Sequence, residues 1–202
     1  MLKTERMDRV RAALRAQGLT QMIVCDPKSV WYLTGVAVEP YERLLALYLP
    51  TEGEPVLFLN RLFNVPEPPC RTVWHTDTDK PVAQIAEVVD AGKPLGIDKE
   101  WPAKFLIPLM ETHPGMQVVL SSDCVDDCRA CKDAEEQALM REASRINDAV
   151  NEAAKHYIKA GMTEREVAEF IDAQFRAHGC EGPSFTTIVS FGANAADPHH
   201  EP

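Results

Sequence analysis

The chain has 202 residues, 45% of them hydrophobic and 26% charged, proportions that support a buried core and argue against disorder. Its 31 acidic and 21 basic residues leave a net charge of −10, and no run of Lys or Arg makes a basic patch, which argues against nucleic acid or an anionic membrane as partner. No window approaches the roughly 18 apolar residues of a membrane span, and the charged start, residues 1–10, lacks the apolar stretch of a signal peptide, so a cytoplasmic protein with six reduced cysteines is expected.

Leu2, Arg6, Met7, Val10, Ala13 and Leu14 recur at helical spacing, which predicts a helix over 2–17 stopped by Gly18. Residues 22–25 read as a short apolar strand, and Asp26-Pro27-Lys28-Ser29 as a turn into Val30-Trp31-Tyr32-Leu33-Thr34-Gly35, with Trp31 and Tyr32 as core. Two apolar runs, 43–49 and 56–59, flank a break rich in Pro and Gly and read as a hairpin. A proline-rich loop at 66–69 precedes a strand over 72–75, a helix over 81–89 opened by Pro81, a strand over 95–98, a helix over 101–111 and a strand over 116–120. Helices and short strands alternate, so an α/β layered domain is expected.

A boundary falls at 126–132, giving expected domains 1–127 and 128–202. Beyond it, Asp133 with Glu136 makes a capping box for a helix over 134–160, whose stripe is Leu139, Ala143, Ile146, Val150, Ala153 or Ala154, and Tyr157. Gly161 can take a left-handed cap, and Thr163 with Glu166 opens a second helix ended by Gly179. The alternation over 185–191 predicts a half-buried strand, which Gly192, Asn194, Asp197 and Pro198 break into a loop carrying His199 and His200.

Gly161, Thr163 and Glu164, segment 187–192, Asn194 and Pro198-His199 together resemble the start of the catalytic domain in the pita-bread metallopeptidases, the family of Xaa-Pro dipeptidases, aminopeptidase P and methionine aminopeptidase. The turn leading into Tyr32-Leu33-Thr34-Gly35 is similar to a signature in the N-terminal domain of prolidases, aminopeptidase P and creatinase, and Arg129, Lys132, Glu135 and Glu136 resemble the way the family opens its catalytic domain. The resemblance implies an α/β fold: a creatinase-type N-terminal domain with a mixed sheet flanked by helices, then a partial α+β pita-bread domain. It implies a homodimer that hydrolyses the bond before proline in peptides, using a hydroxide between two divalent metals, Mn, Co or Zn. In the family the metal ligands, two Asp, one His and two Glu, come later in the chain than the residue matching His199. The chain as given is therefore expected to hold no metal and to be inactive alone. The alternatives are a creatinase-like amidinohydrolase that works without metal, its histidine serving as acid and base, and a non-catalytic peptide-binding module of the same fold.

His199 falls on the family's active-site histidine, and the resemblance gives it a catalytic and substrate-binding role, stabilising the tetrahedral intermediate. Arg43 is a second candidate for substrate binding, because the resemblance places the N-terminal domain over a partner subunit's active site. His200 reads as a flanking loop residue whose ring points away from that of His199. Asp197, His199, His200 and Glu201 could hold zinc only with supporting residues that a chain end does not offer. Cys124-x3-Cys128-x2-Cys131 has the spacing of an iron–sulfur motif and three thiolates could hold zinc, but with no fourth ligand nearby it reads as free thiols in a linker.

Overall fold

The computed structural model describes residues 2–202, which divide into two compact units meeting at Cys131 and Lys132. All six strands belong to the first unit: β1 (Gln21–Val24), β2 (Ala46–Pro50), β3 (Val56–Asn60), β4 (Arg71–His75), β5 (Leu95–Ile97) and β6 (Val118–Leu120). They form one mixed sheet in the order β4-β3-β2-β1-β5-β6. β2 is antiparallel to β1 and β3, while β3 with β4, β1 with β5, and β5 with β6 are parallel, so β2 alone runs against the rest.

Each central strand sends alternate residues to two separate cores. Met22 and Val24, Leu47 and Leu49, and Leu57 and Leu59 face one core, packed with Met7, Val10, Leu14, Val30, Leu33, Cys124 and Val125. Ile23, Ala46, Val56 and Phe58 face the other, with Ile85, Val89, Leu95, Trp101 and Leu109. The first core is thus covered by α1 (Thr4–Ala16), α2 (Pro27–Thr34) and α5 (Asp123–Ala130), the second by α3 (Pro81–Ala86) and α4 (Ala103–Thr112). Burial on both faces explains why β1 and β3 read as continuous apolar runs rather than alternating ones.

Two segments of this unit differ from the sequence reading. Asp26 to Ser29 is not a turn but the start of a helix: Asp26 caps the N-terminus of α2 by accepting from the Ser29 N–H, Pro27 stands in the first turn, and Gly35 closes the helix at φ 76. Neighbours on a helix point about 100° apart, so Tyr32 is buried while Trp31, read as core, is 56% exposed. The segment taken as a linker is α5, and it carries the first unit past residue 127 because Cys124 and Val125 are buried in the core.

The second unit contains α6 (Ala134–Tyr157), α7 (Glu164–Ala177) and a short 3-10 turn (Gly192–Ala196). Both helices begin with the expected capping boxes, Asp133 with Glu136 and Thr163 with Glu166. The rings of Tyr157 and Phe170 stack at 3.8 Å between centroids. Of the predicted α6 stripe, Val150 and Ala154 are buried while Leu139 is 66% exposed. At about 1.5 Å per residue, α7 with 14 residues is too short to cover the 24 residues of α6. Residues 185–191 form no strand, contrary to the expectation: among the described residues no other strand lies beside them, and a strand exists only by pairing.

Candidate functional site

In the second unit the chain after α7 returns to the start of that helix. Glu164, in the first turn of α7, accepts a hydrogen bond from the Phe191 N–H at 2.6 Å and from Asn194 Nδ2 at 3.0 Å to each carboxylate oxygen. Its Oε2 lies 3.0 Å from His200 Nε2. The Phe191 N–H above all, joined by the Asn194 amide and His200, holds the Glu164 carboxyl below the usual carboxylate range against the opposing effect of burial. Successive tight turns carry the chain onward, with Asp197 N–H donating to Asn194 O and His200 N–H to Asp197 O. His199 is exposed at the tip of this loop, its N–H donating to Asp197 Oδ1 at 2.9 Å.

Thus His199 and His200 have separate surroundings, and His200 has a definite partner where the sequence suggested a flanking residue. The signal was present in Glu164, but an acidic residue in a helix's first turn is ordinarily explained by the helix dipole alone.

The first unit gathers polar side chains where the parallel strands end, the edge at which open α/β sheets commonly bind ligands. Arg43, just before β2, donates to both oxygens of Asp77 at 2.9 Å and pairs with Glu42 at 2.9 Å. Asn60 Nδ2 donates to Asp77 Oδ1 at 2.9 Å and lies 3.3 Å from Nδ1 of the buried His75, whose Nε2 lies 3.1 Å from Leu44 O. The carbonyl can only accept, so Nε2 carries the ring proton and Nδ1 accepts from Asn60. These residues, with Asp79, Pro81 and Phe105, line a cavity of about 370 Å³. The Arg43 guanidinium, and after it the Asn60 amide, hold the Asp77 carboxyl below its usual range. Asn60, His75 and Asp77 were not singled out from the sequence, because each reads as a strand end or a loop residue.

A smaller recess at the same edge, about 180 Å³, is lined by Asp26, Ser29, Asp98, Ser122 and Arg129 among others. Burial pushes the Asp98 carboxyl up, despite N–H donors from Asp26, Cys25 and Glu100. Burial acts on Asp26 in the same direction, but hydrogen bonds from Ser29 and the Arg129 guanidinium hold it below the usual range. The cysteine triplet is spread in depth: Cys124 buried, Cys128 half-buried and Cys131 exposed.

Residues 6–131 match the family model of the creatinase/prolidase N-terminal domain, and residues 138–202 match that of metallopeptidase family M24. The chain belongs to the creatinase/prolidase family. A prolidase from Thermococcus sibiricus is 27% identical and superposes with a TM-score of 0.89, over 100% of this chain and 57% of that one. A dipeptidase from Mycobacterium ulcerans is 29% identical, with a TM-score of 0.86 over 98% of this chain and 55% of its own. An uncharacterised peptidase of Staphylococcus aureus is 30% identical over 190 residues, 89% of this chain and 52% of the relative. The chain spans about half the length of the curated relatives it matches.

In this creatinase/prolidase chain, His199 lies in the segment matched to the metallopeptidase model and Arg43 in the N-terminal domain. The described residues do not fit the metal that the family implies. Glu164 is committed to three donors and Asp197 to the His199 N–H. Among the described residues no three His, Cys, Asp or Glu side chains are gathered to hold an ion. Among them, too, no helix is long and apolar enough to cross a membrane.

Proposed function

We propose that the whole protein is an Xaa-Pro peptidase, cleaving the bond before proline in short peptides, and that this chain by itself does not turn them over. The observation that carries this reading is the coincidence of His199 with a held loop in the segment matched to the metallopeptidase family. The structural likeness to a prolidase and a dipeptidase supports the substrate class. In this reading His199 presents an N–H to the carbonyl oxygen of the scissile bond and stabilises the charge that develops there. Arg43 serves as a substrate contact from the N-terminal domain, and its double engagement with Asp77 and Glu42 makes it a fixed rather than a searching guanidinium. A dimer, with that domain serving the partner's site, is part of the same proposal.

The test compares hydrolysis of Ala-Pro and Ala-Ala, with manganese or zinc added, by the 202-residue chain and by any longer product of its gene. Proline-selective turnover by the longer product, weakened by His199→Ala, is the expected result. Turnover by the 202-residue chain, or equal turnover of both dipeptides, would overturn the reading.

A further inference from the structure

We propose that Glu164 is the positioning residue for His199, holding the histidine loop against the start of α7 through a single carboxylate. This rests on the reading of His199 as the substrate-facing donor.

The geometry of attachment carries the argument. The carboxylate takes the Phe191 N–H at the beginning of the loop, the Asn194 amide in its middle and the His200 ring at its end. His199 stands immediately before the last of these anchors. The loop contains Gly192 at φ 54 and has no strand pairing to fix it, so backbone ladders do not define its path. The Glu164 side chain is 15% exposed and that of His200 27%, so both are partly shielded from competing water. An ionised carboxylate accepts on two oxygens with about four lone-pair directions, and here both oxygens are used. A glutamine cannot replace it, since its amide nitrogen would face donors. An aspartate keeps the charge at the helix N-terminus but is one methylene too short to reach all three anchors.

That last difference separates positioning from helix stabilisation. Amide hydrogen exchange and imidazole nitrogen spectra are recorded on the 15N-labelled chain for wild type, Glu164→Gln and Glu164→Asp. In both variants the Phe191 amide should exchange at least about tenfold faster, the factor given by loss of one hydrogen bond to a charged group. The His200 ring resonances should move, while the amides of 168–177 in α7 keep their protection. Asn194→Ala, which leaves the helix untouched, should also accelerate Phe191 and keeps the test available if the Glu164 variants unfold. Unchanged exchange at Phe191 in the Glu164 variants would overturn the proposal. So would a loss of protection throughout α7 in Glu164→Gln that Glu164→Asp restores together with the loop, since that is helix stabilisation. Titration with Ala-Pro should shift the His199 ring signals in wild type and shift them less in the variants. Absence of that shift in wild type, with the exchange results as expected, would refute the reading of His199 as a substrate contact within this chain and leave the anchoring by Glu164 intact.

Discussion

In the first unit every residue of β1 and β3 is buried, and each face of the sheet has its own core. In the second, the buried apolar residues among those described are Val150, Ala154, Val167 and Val189, while Leu139, Met140, Phe185 and Ile188 remain exposed. The first is held by apolar burial, with its polar groups arranged at the sheet edge. The second is held by helix caps, one stacked ring pair and the hydrogen bonds to Glu164. The same chain therefore places one candidate site on a rigid scaffold and the other on polar ties, and the second is the more sensitive to single polar substitutions.

The largest expected effect tests the first half of that contrast. Phe58→Ala, in the centre of β3 and fully buried, should cost about 3–5 kcal/mol in urea unfolding. Val167→Ala, in the thin core of the second unit, should cost only about 1–2 kcal/mol, at about 0.8 kcal/mol per methylene-sized group removed. Equal losses would break the comparison.

Next comes Gly96→Ala in β5. A Cβ at this position would lie 2.5 Å from Ser121 Oγ and 3.2 Å from Gln21 O, and the latter is backbone that cannot swing away. Overpacking of this kind costs about 1–3 kcal/mol, read from the same unfolding curves. A neutral result would mean that the inner strands yield more readily than their burial implies.

Thr163→Ala removes the capping oxygen of α7 and should cost about 1 kcal/mol, with faster amide exchange confined to the second unit. Acceleration in the first unit would show that the two do not open separately.

The smallest effect is a pH dependence. Asp26 is held below its usual range in the folded chain, so the stability it contributes is present above its unfolded pKa, about 3.9, and is lost as pH falls through the lowered folded value. Asp98 acts with the opposite sign: its raised pKa favours folding while it is protonated, and that contribution is lost as pH rises through the folded value. Asp26→Asn keeps a good helix cap but removes the charge facing Arg129, and should flatten the acid limb of stability against pH. An unchanged acid limb would assign it to other carboxylates.

Local rules made much of the fold legible. Both capping boxes, the hairpin between β2 and β3, and the helix that opens the first unit follow from residues adjacent in sequence. The misreadings lie where a distant partner decides. Residues 185–191 alternate as a strand does, yet nothing pairs with them. Asp26 to Ser29 reads as a turn by its residues, yet it opens α2, whose Val30 and Leu33 pack into the first core. The candidate site divides in the same way. That His199 lies in a loop was legible from Asn194, Asp197 and Pro198, whereas the ties from Glu164 to residues 191, 194 and 200 depend on a return of the chain that no local pattern announces.

The reversed direction of β2 has a practical consequence. Because it runs against its neighbours, the bend between Pro50 and Val56 lies at the rim opposite Arg43, Asn60 and His75. At Gly53, with φ 94, the space where a side chain would stand is empty to 4 Å. A flexible reporter segment spliced in beside Gly53 would add little closure entropy and would leave the polar rim untouched. The first unit thus carries a built-in handle for labelling, on the side where no chemistry is proposed.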